Sequence, residues 1–123
     1  MNEKRKLVVV ITHGLDDERA SVAWSITVGG INSGHDVSVF LVSSGVDWVR
    51  KGAADRPQLN PEDPTMKEMI QLVIESGSQI SVCPPCIKVR GYEQVDLIDG
   101  VLIAGSVAAI HEPIGMGAEV LTF

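Results

Sequence analysis

The stretch Leu7-Val8-Val9-Val10-Ile11-Thr12-His13-Gly14 decides the fold class of this chain. Its five apolar residues are mostly β-branched, which predicts a strand buried on both faces, as in a parallel sheet. The polar residues His13 and Gly14 predict a turn at the end of that strand. Apolar residues then recur at helical spacing from Ala20 to Ile31, and a second strand is predicted over 37–42. A strand, a helix and a strand within about forty residues predict a right-handed βαβ unit with parallel strands.

The same alternation continues to the last residue. Thr65 and Glu68 have the spacing of a capping box and predict a helix that ends at Ser76-Gly77. The remaining predictions are a short helix over 46–51, an exposed loop over 52–64, strands over 79–82, 101–104 and 119–123, and a helix over 107–114. Alternating strands and helices predict one α/β layered domain over 1–123, with a mostly parallel five-stranded sheet.

Composition and charge exclude several classes of partner. The net charge is −6 and the pI is near 4.9, and basic residues do not cluster. We therefore expect neither nucleic acid nor an anionic membrane as a partner. Gly14 and Gly45 are isolated and form no phosphate-loop or dinucleotide fingerprint, so the sequence predicts no cofactor.

The amino-terminal residues carry no export signal that we can identify. The charged segment 1–6 precedes the apolar run 7–11, which is too short to span a bilayer. No small-residue cleavage site follows it, so we expect a cytoplasmic protein.

Cys83-Pro84-Pro85-Cys86 contains both cysteines of the chain, between a predicted strand and a helical turn over 87–91. Proline suits a first helical turn, so Cys83 is predicted to be the cap residue and Cys86 to lie one turn further on. A thiol at a helix start ionises more easily. In a reducing compartment such a pair is catalytic or metal-binding more often than structural.

Three alternatives apply to this pair. In the first, both cysteines are small buried apolar residues. Zinc is disfavoured, because a structural site needs four ligands and the only histidines are three scattered ones. A thioredoxin fold is disfavoured because the motif comes late in the chain. Dithiol chemistry in another fold remains an alternative.

Ligands of parallel α/β sheets bind beyond the carboxyl ends of the strands. The His13 turn, the turn over 43–45 and the cysteine turn all lie at such ends, so we expect them to converge. His13, Gly14, Gly45 and Arg90 are the candidate ligand-binding residues. His13 is a possible base or a solvated turn residue, and Arg90 binds an anion or pairs with a helix carboxyl end.

Several segments of the chain resemble the DsrE/DsrF-like family, which includes the TusD-type sulfur-relay subunits. The cysteine region is the most specific of these, because Arg90 and Gly91 follow Cys83 by seven and eight positions. The matching segments are 14–20, 33–40, 82–83, 90–91, 99–101 and 120–123.

This resemblance implies a flavodoxin-like three-layer fold and cytoplasmic homo- or hetero-oligomers, often trimers or hexamers. For this chain we expect a homo-oligomer, a trimer or hexamer. It implies that Cys83 holds a persulfide and passes it from a sulfur-donor protein to an acceptor protein. Cys86 is not part of the TusD-type pattern. Its thiol could attack the Cys83 persulfide, which would release sulfide and form a Cys83–Cys86 disulfide. The leading hypothesis is a sulfur carrier of sulfurtransferase type with Cys83 and Cys86 as catalytic residues. The alternatives are a dithiol–disulfide redox protein and a non-enzymatic oligomeric binding module.

Overall fold

The computed structural model describes residues 4–123; Met1, Asn2 and Glu3, which belong to the charged segment considered above, lie outside the described residues. The strands are β1 (Lys6–Ile11), β2 (Asp36–Leu41), β3 (Ile80–Val82), β4 (Val101–Ile103) and β5 (Glu119–Thr122). The α-helices are α1 (Arg19–Asn32), α2 (Met66–Glu75), α3 (Pro84–Lys88) and α4 (Glu112–Gly115). Two 3-10 helices cover Ser43–Val49 and Gln94–Asp96, and a π-helix covers Val107–His111.

The five strands form one parallel sheet in the order β4-β3-β2-β1-β5. β1 and β2 pair over their whole length, from Lys6 opposite Asp36 to Ile11 opposite Leu41. The predicted parallel α/β architecture is therefore confirmed, and the fold is flavodoxin-like.

The two faces of the sheet are covered unequally. α1 and α2 pack on one face and bury Trp24 in the main core. The other face carries a smaller cluster in which Ala109 of the π-helix covers Val8, Val10 and Phe40. Much of the second face is therefore covered only by the short segment 107–115.

Two helices differ in detail from their predictions. The short helix predicted over 46–51 is a 3-10 helix that begins three residues earlier, at Ser43. The helix predicted over 107–114 is a π-helix followed by α4. Pro113 has no N–H to donate to a carbonyl one turn back, which accounts for the break in regular α-helix.

The predicted N-cap at Thr65 is confirmed, although the Glu68 carboxylate accepts from the Thr65 hydroxyl at 3.1 Å and not from the Thr65 N–H that a full capping box uses. Thr65 Oγ1 accepts a hydrogen bond from the Glu68 N–H at 3.1 Å, and α2 begins directly after it. None of the helices in the described part of the chain is both long and apolar enough to cross a membrane.

Two glycines allow the turns at the carboxyl ends of β1 and β2 to touch. A Cβ on Gly45 would lie 2.2 Å from the Ile11 carbonyl oxygen, and one on Gly14 would lie 2.8 Å from the Ser44 carbonyl oxygen. Both distances are far below van der Waals contact. The two candidate ligand-binding glycines thus have a packing reason to be glycine, and a role in binding stays a prediction.

We predict that Gly45→Ala destabilises the protein by about 2–3 kcal/mol, because the new methyl group meets rigid backbone. Gly29→Ala is the matched control, since a Cβ there meets nothing within 4 Å. Gly29 is an exposed position of α1, so Gly29→Ala should stabilise the protein by about 0.5–1 kcal/mol. Urea unfolding of both variants checks this, and equal effects would contradict the close approach at Gly45.

Candidate thiol site

The cysteine turn joins β3 to α3, as the sequence predicts. Cys83 is the cap residue of α3, and its N–H donates to the Leu41 carbonyl at 3.0 Å. Its own carbonyl accepts from the Ile87 N–H at 3.2 Å. α3 begins at Pro84, directly after Cys83, because proline fits the first helical turn. Both cysteines are free thiols and half-buried, so they are neither core residues nor fully exposed.

Cys86 is held at both its side chain and its backbone. The Ser43 N–H donates to Cys86 Sγ with an N···S distance of 3.1 Å. Arg90 Nη1 donates to the Cys86 carbonyl at 3.0 Å. The sulfur of Cys86 therefore meets a backbone donor that comes from another turn of the molecule, the one after β2.

Cys83 has a different electrostatic environment. Burial raises the pKa of the Cys83 thiol, and the adjacent Cys86 thiol raises it further, although the Cys86 N–H acts in the opposite direction. The side chain of Cys83 accepts no capping hydrogen bond. The expectation that the helix start eases ionisation of this thiol is therefore wrong for Cys83. The helix has only five residues, and its dipole does not outweigh burial and the second thiol.

Arg90 ties the cysteine helix to the 3-10 helix after β2. Its Nε lies 3.4 Å from Asp47 Oδ1, and Nη2 donates to Ser44 Oγ at 3.4 Å. Tyr92 donates its hydroxyl to the same Asp47 oxygen at 2.7 Å. Burial, followed by the bond to Asp47, raises the pKa of Tyr92. In this structure Arg90 is thus engaged by protein groups, with its predicted anion-binding role untested.

His13 lies at the neighbouring turn. Its Nδ1 is 3.2 Å from Thr12 Oγ1, and its carbonyl accepts from Trp48 Nε1 at 3.0 Å. Together with Gly14, Ser44 and other residues, it lines an open depression of about 460 Å³. This depression lies beside the segment that contacts Cys86.

The acidic residues after His13 belong to the start of α1. Asp17 Oδ1 accepts from the Arg19 N–H at 2.9 Å, and its other oxygen accepts from Arg19 Nη2 at 2.7 Å. These hydrogen bonds to Arg19 lower the pKa of Asp17 to about 2. Asp16 pairs with Arg56 at 3.5 Å. Each of the two carboxylates therefore pairs with an arginine near the start of α1.

The three predicted turns do converge at the carboxyl edge of the sheet. β3, β2 and β1 are neighbours there, and the segment Ser43–Val49 contacts both the His13 turn and the cysteine turn. Sequence reasoning placed the turn over 43–45 at this edge but did not single out Ser43, and it missed Asp47 and Tyr92. The only sequence signal among the three is the position of Ser43 directly after a strand. No group of three potential metal ligands occurs within residues 4–123.

Comparison with known proteins agrees with this geometry. The model of the DsrE/DsrF-like family matches residues 5–123. The chain is 34% identical over 101 residues to uncharacterized protein MJ0989 of Methanocaldococcus jannaschii, covering 80% of this chain and 83% of that one. It is 33% identical over 98 residues to uncharacterized protein MK0008 of Methanopyrus kandleri, covering 79% and 76%.

Solved structures share the fold. The ychN protein of E. coli superimposes with a TM-score of 0.77 at 22% identity, over 98% of this chain and 100% of that one. MTH1491, a protein of unknown function from Methanobacterium thermoautotrophicum, gives a TM-score of 0.69 at 16% identity, over 98% and 100%.

The raised pKa of Cys83 predicts a pH dependence of its alkylation. At any pH near neutrality the folded protein has a smaller Cys83 thiolate fraction than the unfolded chain, because its pKa is higher when folded. Site-resolved iodoacetamide alkylation of Cys83 should therefore rise at a higher pH in the folded protein than in urea. Cys86→Ser should shift the alkylation profile of Cys83 in the folded protein to lower pH, since it removes one cause of the raised pKa of Cys83. An unchanged profile would contradict the contact between the two thiols.

Proposed function

The chain belongs to the DsrE/DsrF-like family, and from this premise we propose that it is a sulfur carrier that holds a persulfide on Cys83 and passes it to a partner protein. The family is generally related to sulfur relay. The observation that carries the proposal is the pair of free, half-buried thiols at the carboxyl edge of the sheet, with Cys83 at the cap of α3.

The proposed uptake step is a thiol exchange at sulfur. The Cys83 thiolate attacks the outer sulfur of a donor persulfide, R–S–SH. A bond forms between Cys83 Sγ and that sulfur, the donor S–S bond breaks, and R–S⁻ leaves. In the handover step an acceptor thiolate attacks the outer sulfur of the Cys83 persulfide, and the Cys83 thiolate leaves. Neither step consumes an oxidant or a reductant, so the carrier returns unchanged.

The environment of Cys83 fits a carrier that waits for its donor. Because its pKa is raised, most of this thiol is protonated near neutral pH, which protects it from adventitious oxidation and alkylation. Its partial burial also limits access from one side. Uptake should accordingly become faster as the pH rises.

A second candidate is a dithiol–disulfide redox protein that uses both cysteines. The adjacency of the two cysteines favours it, since the Cys86 thiol contributes to the raised pKa of Cys83. In that reaction a small disulfide R–S–S–R oxidises the pair to a Cys83–Cys86 disulfide, and two R–SH molecules leave. If neither reaction occurs, the third reading, an oligomeric binding module with structural cysteines, is favoured.

Intact-mass analysis separates these functions. Wild type, Cys83→Ser and Cys86→Ser are incubated with a persulfide-loaded cysteine desulfurase and sampled over time. We expect a reductant-sensitive gain of about 32 Da in wild type at early times and in Cys86→Ser, and none in Cys83→Ser.

Two results would contradict the carrier function. The first is an equal gain in Cys83→Ser, which would place the sulfur on another residue. The second is no gain in any sample, combined with a loss of about 2 Da in wild type after treatment with oxidised glutathione, which would favour the redox protein.

Homo-oligomerisation is a further part of the proposal. The segment 107–116 exposes Val107 and Met116 to 66% and 65%, and Leu102 on the adjacent strand is half exposed. β4 and β5 are the free edges of the sheet. Exposed apolar side chains and unpaired strand edges are both typical of a surface that another subunit covers.

Light scattering after size exclusion tests this. We expect a mass of three or six times the 13.2 kDa of one chain. Val107→Glu should lower that mass, because it places a charge in the proposed interface. Val22→Glu, which alters an exposed valine of α1, should leave it unchanged; a monomeric wild type would overturn the oligomer.

A further inference from the structure

Ser43 has an unusual backbone conformation. Its φ is +52°, and it is the only residue other than glycine with positive φ among residues 4–123. An L-residue in this region costs about 1–2 kcal/mol, and such residues concentrate at functional sites, where the surroundings hold them in place. The surroundings here are the Val42 N–H bond to the Ile11 carbonyl at 3.1 Å and the Gly45 N–H bond to the Val42 carbonyl at 2.9 Å.

The conformation of Ser43 brings its backbone N–H to the thiol site. The Ser43 N–H donates to Cys86 Sγ, with an N···S distance of 3.1 Å. A hydrogen bond from N–H to sulfur is weak when the sulfur is a neutral thiol and much stronger when it is an anion. The donor is backbone, so it needs no reorganisation when charge develops on the sulfur.

The two thiols therefore differ in their support for negative charge. Cys86 has the Ser43 donor at its sulfur, and Arg90 fixes its carbonyl. Cys83 has only the nearby Cys86 N–H, whose effect on its pKa is outweighed by burial and by the second thiol.

We propose that Cys86 is a resolving nucleophile, positioned by the Ser43 N–H, that discharges the Cys83 persulfide when no acceptor takes it. This inference rests on the proposed function. The Cys86 thiolate attacks Cys83 Sγ, a Cys83–Cys86 disulfide forms, the bond from Cys83 to the outer sulfur breaks, and hydrosulfide leaves with its electron pair. The sulfane sulfur is reduced to sulfide and the two cysteines are oxidised, so the electrons balance within the protein. A low-molecular-weight thiol such as glutathione then returns the disulfide to the dithiol.

The first test follows discharge directly. Protein loaded by a persulfide donor is freed of that donor, and released hydrosulfide and intact mass are recorded over time. Wild type should release hydrosulfide as its mass falls from a gain of about 32 Da to a loss of about 2 Da. Cys86→Ser should keep its added sulfur. A wild type that keeps its sulfur as long as Cys86→Ser would overturn the proposal.

Two substitutions at Ser43 isolate its backbone N–H. Ser43→Gly keeps the donor and accepts positive φ without strain, whereas Ser43→Val disfavours that conformation because valine is β-branched. We expect discharge to be about tenfold slower in Ser43→Val, the effect of one charge-assisted hydrogen bond, and unchanged in Ser43→Gly. Equal rates in the two variants would overturn the role of Ser43.

The last measurement needs no persulfide and so separates this inference from the proposed function. Wild type is treated with limiting iodoacetamide at neutral pH, and the two cysteines are resolved by peptide mass. We expect Cys86 to be alkylated faster than Cys83 in wild type and in Ser43→Gly. In Ser43→Val the ratio of the two alkylation rates should be smaller. If no variant takes up sulfur but Cys86 is alkylated before Cys83, the carrier function is wrong and the role of Cys86 as the more reactive thiol stands. If Cys83 is alkylated first in wild type, that role of Cys86 is wrong, whether or not Ser43→Val folds.

Discussion

The contact between the ends of β1 and β2 is the constraint on which the site depends. The Val42 N–H bonds the Ile11 carbonyl, and Gly45 packs against the same oxygen so closely that no side chain fits. This contact folds the 3-10 helix Ser43–Val49 back over the end of β1. Trp48 then reaches the His13 carbonyl, and the Ser43 N–H reaches Cys86. One backbone contact therefore sets the geometry of both the His13 turn and the thiol site.

The two cysteines pack against different apolar clusters, although only two residues separate them. Cys86 packs against the main core, which includes residues of α1 and α2, whereas Cys83 packs against the small cluster that includes Ala109. Their sulfur atoms therefore have different surroundings. The Cys86 sulfur meets the Ser43 N–H from another turn, whereas burial and the neighbouring Cys86 thiol raise the pKa of Cys83.

The sequence predicts the fold well, because the fold depends on local patterns. A few neighbouring residues are enough to predict the apolar runs of β1 and β2, the N-cap at Thr65 and the cap position of Cys83. By contrast, the bond from the Ser43 N–H to Cys86 joins residues 43 positions apart, and the pKa of Cys83 is raised chiefly by burial. Both depend on the tertiary fold, which no local pattern encodes.

A second thiol inside the site changes what a carrier must do. A persulfide on half-buried Cys83 is within reach of Cys86 at every moment, whereas an acceptor arrives by diffusion. An intramolecular nucleophile acts at an effective concentration far above that of a partner in solution. Handover can therefore compete with discharge only if the acceptor is bound before Cys83 is loaded or if its binding draws Cys86 away from Cys83. On either route the Ser43 N–H matters, because it holds the Cys86 sulfur where it is.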